Sequence, residues 1–223
     1  MRPNLFFKRQ ILNLFTIGFS GLLIAHGEPI EEIDGKVLLE AESTKSKLGK
    51  WKVSDKIKGF SGEGYIEFTG NSPINGKADS PLKYEFKINK GGLYYLYLLC
   101  AKETVIIKGE KRTDVANDCY VRVEGDYDEA PEAGDKHGDN AKLKALKEDN
   151  KFFGGKDGSF AWSGGNRLDL GGHDNKRKAA YIFKSGETYT LIVSGRSQKF
   201  KVDQFMFSTD AKVGGKKRRK KKK

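Results

Sequence analysis

The sequence predicts an all-β protein, an antiparallel β-sandwich or jelly roll. Apolar and charged residues alternate at every position of Leu82–Ile88, which is the period of a half-buried strand. Turn signals such as Asn89-Lys90-Gly91-Gly92 separate this run from its neighbours. We expect eight or nine short strands, the clearest of which are Val37–Ala41, Tyr65–Phe68, Leu82–Ile88, Leu93–Ala101, Cys119–Val123, Ala179–Phe183, Thr188–Ser194 and Phe200–Phe207.

A long polar segment interrupts the strand pattern. Residues 126–159 are mostly polar, and within them 141–148 has helical composition, with Leu143 and Leu146 three positions apart. We therefore predict one long loop excursion that carries a short helix.

The net charge of +12 is concentrated at the two ends of the 223-residue chain. Residues 1–27 carry three basic side chains, residues 216–223 carry eight, and neither segment contains an acid. The body between them is nearly neutral, so the charge does not indicate a nucleic-acid-binding surface. With 14 Phe and 9 Tyr but 2 Cys, the composition fits neither a disordered chain nor a disulfide scaffold.

The amino-terminal 27 residues have the pattern of a secretory signal. Basic residues precede an apolar run over 11–25, and Ala25-His26-Gly27 offers small residues for cleavage before Glu28. The alternative, a membrane anchor, is disfavoured because the run is shorter than the roughly 20 residues that span a bilayer. We expect a signal peptide at 1–27, a single domain at 28–213 and a disordered polybasic tail at 214–223. The protein should be secreted, periplasmic or at the cell surface.

The two cysteines of the expected domain leave two interpretations open. In an oxidising compartment Cys100 and Cys119 could form a bridge. Each could equally be a small buried apolar residue.

No motif in the sequence predicts catalysis. The nucleophile elbow, the zinc-protease helix and the phosphate-binding loop are all missing from the 223 residues. Asp135, His137 and Asp139 could be drawn as a metal cluster, but a solvated loop is the favoured interpretation. Glycoside hydrolysis needs two carboxylates, and the 30 acids offer no way to choose a pair. We expect a protein that is not an enzyme.

Three acidic residues form a candidate metal site. Strand alternation places Glu40 and Glu42 on one face of the first main strand, and Asp203 lies inside the apolar last strand. First and last strands commonly neighbour each other in sandwiches, and carboxylates gathered there would suit Ca²⁺. The alternative is simple solvation at an edge strand.

Aromatic residues beside glycines form candidate sugar-binding platforms. Phe60 and Tyr65 flank a Gly-rich turn, and Trp162 lies among small residues. Exposed rings pair with the apolar faces of sugars. The alternative is that these rings pack under the loops as core.

An ordered series of motifs resembles the non-catalytic carbohydrate-binding modules of the family 6 and family 35 type. The resemblance covers residues 36–207. It rests on Leu-Leu-Glu-Ala-Glu at 38–42, Gly-Phe-Ser-Gly-Glu-Gly-Tyr-Ile at 59–66, Lys-Gly-Gly-Leu-Tyr-Tyr-Leu at 90–96 and Phe-Lys-Val-Asp-Gln-Phe at 200–205. The motifs at 117–127, 151–155 and 194–198 are similar to versions attached to marine polysaccharide-degrading enzymes.

The resemblance implies a galactose-binding-like sandwich, a structural Ca²⁺ and a polysaccharide partner. It implies Glu40, Glu42 and Asp203 as calcium ligands. It also implies sugar contacts by five residues in loops at one end of the sandwich, namely Trp162, Tyr65, Asn166, Arg196 and Gln198. The polysaccharide could be anionic, and we expect a monomer that binds no nucleic acid and does not span a membrane.

Three functions follow from these observations. The leading hypothesis is an exported carbohydrate-binding module without catalytic activity. A cell-surface structural or protein-interaction sandwich is the first alternative. A polysaccharide hydrolase that uses residues 126–159 as its active loop is the second.

Overall fold

The computed structural model describes residues 28–134, 139–171 and 175–213. The signal peptide expected at 1–27 and the tail expected at 214–223 lie outside these residues, as does the loop position His137. Within the described residues, none of the helices has the length and apolar character needed to cross a membrane.

The described chain consists almost entirely of strands. Besides one 3-10 turn at Ala41–Ser43, its single α-helix is α1 (Leu143–Lys147). The strands in chain order are β1 (Ile30–Glu31), β2 (Lys36–Glu40), β3 (Trp51–Ser54), β4 (Tyr65–Phe68), β5 (Asp79–Lys87), β6 (Gly92–Lys102), β7 (Val105–Ile107), β8 (Glu110–Arg112), β9 (Asp118–Glu124), β10 (Asp128–Glu129), β11 (Asn150–Phe153), β12 (Lys156–Asp157), β13 (Ala161–Ser163), β14 (Leu168–Asp169), β15 (Lys176–Arg177), β16 (Ala180–Phe183), β17 (Thr188–Gly195) and β18 (Lys201–Ser208).

Two sheets pack face to face and confirm the predicted β-sandwich. The first has seven strands in the order β1-β5-β17-β9-β11-β14-β15. The second has nine: β10-β16-β6-β18-β4-β3 form a continuous path, β12 and β13 join β6, and β2 joins β18. Pairing is antiparallel except for two short parallel contacts, β1 with β5 and β12 with β6. A separate hairpin, β7–β8, stands outside both sheets.

The core between the sheets is dominated by aromatic rings. Phe86 of the seven-stranded sheet stacks on Phe207 of the nine-stranded sheet, with ring centroids 4.5 Å apart. Phe183 contacts both rings at 5.4–5.5 Å, and Tyr189 lies 4.4 Å from Phe183. Edge-to-face and offset contacts of this kind add about 0.5–1.5 kcal/mol per pair beyond burial of apolar surface. This cluster ties the two sheets together.

The segment 126–159 is more regular than the predicted loop excursion. The short helix is confirmed as α1, where Leu146 is buried and the Glu129 carboxylate accepts a hydrogen bond from the backbone N of Leu143 at 2.6 Å. The segment also contributes β11, which pairs with β9 and buries Phe152. Only one side chain of β11 is buried, so the strand leaves no alternating pattern in the sequence.

Both cysteines are buried free thiols in the structure. Cys100 lies on β6 and Cys119 on β9, so they belong to opposite sheets. Burial raises the pKa of the Cys100 thiol to about 12, and Cys100 Sγ lies 3.6 Å from Ser163 Oγ as a weak donor. In this state they act as the small buried apolar residues of the second interpretation.

The aromatic cluster predicts where the domain is most sensitive to truncation. Phe183→Ala should lower the free energy of unfolding by about 3–5 kcal/mol, because it removes a fully buried ring and leaves a cavity between the sheets. Urea unfolding followed by tryptophan fluorescence measures this change. The control, Ile106→Ala, truncates a side chain that is 70 % exposed and should shift the value by less than about 0.5 kcal/mol. Equal effects of the two substitutions would contradict the assignment of the core.

Candidate functional site

The three predicted metal ligands meet at one end of the nine-stranded sheet. Glu40 ends β2, and Glu42 follows within the 3-10 turn. Asp203 occupies a register shift in β18, where Val202 pairs with Cys100 and the following Gln204 pairs with Leu99. An extra residue of this kind re-aims a side chain out of the regular alternation. Asp203 is therefore turned toward the two glutamates although it lies within an otherwise apolar strand.

A turn at 61–63 supplies hydrogen bonds to all three carboxylates. The backbone N of Ser61 donates to both carboxylate oxygens of Asp203 at 3.2 Å. Ser61 Oγ donates to Glu40 Oε2 at 2.7 Å, and the backbone N of Glu63 donates to Glu42 Oε1 at 3.0 Å. Gly62, at φ +60°, allows this approach, since a Cβ there would lie 2.2 Å from Glu42 Oε1.

The hydrogen bonds around the three carboxylates do not fully compensate their burial and their mutual repulsion. Burial raises the pKa of Asp203 to about 6, and the nearby charges of Glu40 and Glu42 act in the same direction against the opposing hydrogen bonds from Ser61. Glu42 Oε2 is buried without a hydrogen-bond partner. A buried carboxylate oxygen without a partner costs about 1–3 kcal/mol or more. These features are typical of a place that a cation would stabilise.

The side chains as they stand do not form a closed metal site. In the described part of the chain, no group of three or more His, Cys, Asp or Glu side chains has the arrangement of one. The Glu40 carboxylate is instead engaged by Ser61 Oγ and by Gln204 Nε2, the latter at 2.7 Å. The donor set still fits a hard cation, because all three residues offer carboxylate oxygens and one of those oxygens has no partner.

Trp162 lies on the outer face of the nine-stranded sheet, beside this cluster. It belongs to β13 and pairs with Leu99, which in turn pairs with Gln204, and Gln204 pairs with Glu40. The chain following Trp162 approaches the sheet closely at Gly164, where a Cβ would lie 2.0 Å from the ring of Tyr97.

The half-buried indole of Trp162 forms one wall of a groove of about 420 Å³, which we call the Trp162 groove. The indole N–H has no partner among the described residues, so it remains a donor for a ligand. The groove is lined by Lys36, Leu38, Trp162, Gln204, Met206, Asp210, Lys212 and Val213.

A second depression, the polar cleft, lies at the end of the seven-stranded sheet and measures about 520 Å³. Arg196 follows β17 and donates from its Nη1 atom to both carboxylate oxygens of Asp118, at 2.8 and 2.7 Å. Burial opposes the charge of Arg196, but the hydrogen bonds and negative charge of Asp118, together with the Tyr120 hydroxyl, raise the pKa of the guanidinium. The cleft is lined by Ile74, Asp114, Val115, Asn117, Asp118, Lys151, Phe153, Asp169, Lys176 and Arg196.

The five predicted sugar-binding residues do not converge on one site. Trp162 lines the groove on one sheet, and Arg196 lines the cleft on the other. Asn166 is exposed in the turn after β13 and lines neither depression. Gln198 lines neither as well, and its side-chain amide donates to the carbonyl oxygen of Thr69 at 3.2 Å.

Tyr65 was predicted to contact sugar, but the structure places it in the core. Its side chain is fully buried, with its ring 5.1 Å from that of Phe160. Its hydroxyl accepts hydrogen bonds from Ser54 Oγ at 3.1 Å and from the backbone N of Ile57 at 3.3 Å. The ring has no free face, because β4 points it inward beneath the loop. Tyr65 is therefore part of the packing, as the core interpretation of these rings proposed.

Sequence reasoning missed two groups of lining residues. In the sequence, Gln204 is noticeable only as the residue after Asp203. In the structure, its side-chain amide donates to Glu40 of the carboxylate cluster, and the same residue lines the Trp162 groove. Asn117 and Asp118 stand just before a predicted strand, where ligand-binding residues commonly lie, and that position was the available signal. Phe153 and Asp169 belong to short strands without a recognisable pattern.

Comparison with solved structures finds similar sandwiches. A GH26-CBM35 β-(1,4)-mannanase of Podospora anserina matches 81 % of this chain at 14 % identity and a TM-score of 0.47, and the match covers 29 % of the mannanase chain. A CBM35 from Paenibacillus barcinonensis matches 78 % of this chain and 99 % of its own at 14 % identity and a TM-score of 0.44. A family 35 carbohydrate binding module from Clostridium thermocellum matches 77 % and 96 % at 11 % identity and a TM-score of 0.44.

These matches include the type of module that the sequence motifs resemble. No protein-family model and no curated protein matches the sequence. The chain spans less than a third of the mannanase it matches.

The turn at 61–63 yields a test of the carboxylate cluster. Gly62→Ala should destabilise the protein by more than about 1 kcal/mol, because alanine is strained at this positive φ and its Cβ collides with Glu42. Gly59→Ala is the matched control, since Gly59 also has a positive φ but a Cβ added there would meet nothing within 4 Å. Urea unfolding should show the larger loss for Gly62→Ala. Equal losses would mean that the turn does not pack against the carboxylates.

Proposed function

We propose that this domain is a non-catalytic carbohydrate-binding module that holds a polysaccharide in the Trp162 groove. The observation that carries the proposal is the half-buried indole of Trp162, which shares the groove with the Gln204 amide. A sugar ring presents apolar C–H faces and a rim of hydroxyls. The groove offers a matching combination of an aromatic surface and polar groups.

The other residues that line the groove also suit a sugar ring. Leu38, which is 45 % exposed, and Met206 add apolar surface next to the indole. Lys36, Asp210 and Lys212 place charged donors and acceptors around it, where sugar hydroxyls can be bound. The indole N–H is a further donor.

The groove is suited to binding and not to hydrolysis. Of the described residues that line it, Asp210 alone is acidic. Glycoside hydrolysis needs a pair of carboxyl groups about 5–9.5 Å apart across the scissile bond. Glu40 and Glu42 do not supply them, because neither lines the groove. Glu40 accepts hydrogen bonds from Ser61 Oγ and Gln204 Nε2, and Glu42 accepts one from the backbone N of Glu63.

We further propose that Glu40, Glu42 and Asp203 hold a structural Ca²⁺. The support is that Glu40 and Glu42 lie close enough to Asp203 to raise its pKa, and that Glu42 Oε2 is buried without a hydrogen-bond partner. Bound there, the cation would neutralise their mutual repulsion. The Gln204 amide already donates to Glu40, so a fixed Glu40 would also fix one wall of the groove.

Export and attraction to acidic polymers complete the proposal. Both rest on the sequence: the signal-like segment 1–27 supports export, and the eight basic residues of 216–223 support attraction to polyanions.

Binding in the groove should depend on Trp162. Trp162→Ala should weaken polysaccharide binding at least about fivefold, because removing a central aromatic contact commonly costs about 1 kcal/mol or more. Affinity-gel retardation with xylan, agar, ulvan and alginate measures the loss. Val53→Ala, which truncates an exposed side chain outside the groove, is the control and should bind as the wild type does. Equal retardation of the wild type and Trp162→Ala would show that the groove is not the binding site. If none of the four polymers retards the wild type, the proposal that the domain binds polysaccharide is wrong.

Calcium should raise thermal stability. At 100-fold excess over the dissociation constant, a ligand that binds only the folded state contributes about 2.7 kcal/mol. For a domain of this size that corresponds to a Tm increase of roughly 5–10 °C. Differential scanning calorimetry of metal-stripped protein with and without CaCl₂ measures the increase.

The same experiment on two variants locates the calcium effect. Glu42→Gln removes a proposed ligand charge and should abolish the increase in Tm. Glu187→Gln changes an exposed carboxylate in a hairpin turn and should retain it. A Tm that is independent of Ca²⁺ in the wild type would contradict the proposed site.

A further inference from the structure

The described part of the chain ends at the wall of the Trp162 groove. Its last two residues, Lys212 and Val213, line the groove together with Asp210. Strand β18 ends at Ser208, so the turn at 209–213 carries the chain from the end of that strand to the groove. Whatever follows Val213 therefore starts beside the groove.

Tyr97 fixes the turn at 209–213. Its buried side chain donates from the hydroxyl to the carbonyl oxygen of Asp210 at 2.9 Å, and the backbone of Val213 hydrogen-bonds to the same hydroxyl. Burial raises the pKa of Tyr97 to about 12, against the effect of the hydrogen bond from Val213, so the hydroxyl remains a donor at neutral pH. The Tyr97 ring also lies against Gly164, two residues after Trp162. One side chain thus holds the turn and the segment that carries Trp162.

The mouth of the groove is cationic. Lys36 and Lys212 are exposed lining residues, and neither forms an ion pair with another described residue. Asp210 is the one acidic residue among the described residues of the lining, and its carboxylate accepts a hydrogen bond from the backbone N of Lys212 at 2.9 Å. Glu40 does not line the groove and is engaged by the Gln204 amide at 2.7 Å. A negatively charged ligand therefore meets two free ammonium groups.

Eight further basic residues follow within a short reach of the groove. Residues 216–223 are all Lys or Arg, and we call them the basic segment; only Gly214 and Gly215 separate it from Val213. A fully extended chain spans at most about 3.6 Å per residue, so Lys216 lies within about 11 Å of Val213 and Lys223 within about 36 Å. Such a short tether gives the attached charges an effective concentration in the millimolar range at the groove.

We infer that the Trp162 groove and the basic segment form one composite site and that its ligand is an acidic polysaccharide. Trp162 contacts one sugar ring, Lys36 and Lys212 bind acid groups on the adjacent rings, and the basic segment binds those of the rings beyond the turn at 209–213. Carboxylate and sulfate groups both supply this chemistry. The inference rests on the proposed function and assigns a class of polysaccharide to the same site. It differs from a general attraction to polyanions because the basic segment starts at the groove wall.

The test is isothermal titration calorimetry with two pairs of hexasaccharides that differ in charge. The first pair is a galacturonate hexamer and its methyl ester, and the second is a carrageenan hexamer and a neutral agarose hexamer, so the two pairs distinguish carboxylate from sulfate. At about 50 mM NaCl the wild type should bind at least one acidic hexamer about tenfold or more tighter than its neutral partner. The difference should shrink at about 500 mM NaCl, because salt screens exposed charges.

Charge variants locate the contacts. Replacing all eight residues of the basic segment with glutamine should remove most of the preference and leave binding of the neutral hexamers unchanged. Lys36→Gln combined with Lys212→Gln should weaken binding of the acidic hexamer about three- to tenfold. The matched control, Lys108→Gln with Lys111→Gln, removes the same net charge from exposed positions of the β7–β8 hairpin and should change the affinity less than about twofold.

A linker insertion separates a composite site from a general attraction. Forty Gly and Ser residues inserted between Val213 and Gly214 keep every charge but lower the effective concentration of the basic segment roughly tenfold. Affinity for the acidic hexamer should fall about three- to tenfold. A basic segment that only attracts polyanions would not respond to the insertion. Circular dichroism confirms that each variant is folded.

Each contrary result overturns the inference in a recognisable way. Unchanged affinity after the insertion, or equal binding of the acidic hexamer by the wild type and Trp162→Ala, would show that the groove and the basic segment are not one site. Equal affinity for the acidic and neutral hexamers would overturn the ligand class. Binding to phosphatidylglycerol vesicles without binding to either acidic hexamer would make the partner a membrane.

Failure of the inference and failure of the proposed function are distinguishable. If neither acidic hexamer binds but xylan or agar retards the wild type, the inference is wrong and the proposed function stands. If no hexamer binds and none of the four polysaccharides retards the wild type, both are wrong.

Discussion

The arrangement of this domain depends on three carboxylates gathered at one end of a sheet. Asp203 is completely buried in β18, a strand in the middle of the nine-stranded sheet. Burying a carboxylate is costly unless it is hydrogen-bonded, neutralised or paired with a cation. The turn at 61–63 offsets part of this cost by folding over the carboxylates, with Ser61 and Glu63 as donors. The close approach in turn requires glycine at position 62.

The same cluster reaches the outer face of the sheet through one side chain. Gln204 follows Asp203, and the register shift at that point places its amide against Glu40 and along the Trp162 groove. The pairings run in one row from Glu40 through Gln204 and Leu99 to Trp162. A cation held by Glu40 would therefore stabilise a wall of the groove as well as the strand ends. The proposed metal site and the ligand surface are in this way joined by a single hydrogen bond of 2.7 Å.

The strands with a buried and an exposed face could be predicted from the sequence. Leu82–Ile88 alternates strictly and lies almost wholly within the observed strand Asp79–Lys87. The helical composition at 141–148 likewise encloses α1. These predictions succeed because alternation and local composition are properties of a single segment. By contrast, β11 was missed, since Asn150–Phe153 buries only Phe152 and its strand character comes from pairing with β9.

The sites could be predicted only where the neighbouring strands could be anticipated. Glu40 and Asp203 can be grouped because first and last strands commonly lie together, and β2 does pair with β18. The convergence of Asn117 with Arg196 depends on β9 lying beside β17. No local signal specifies that order. Tyr65 could not be distinguished from an exposed platform, because its burial depends on Phe160, which is distant in the sequence.

Anomalous diffraction from crystals grown with Ca²⁺ tests the central claim most directly. We expect one anomalous peak, about 2.3–2.6 Å from carboxylate oxygens of Glu40, Glu42 and Asp203. The Gln204 amide should remain beside Glu40, at the edge of the Trp162 groove. Crystals in which these carboxylates show no peak, and in which Glu40 bonds only to Ser61 and Gln204, would contradict the claim.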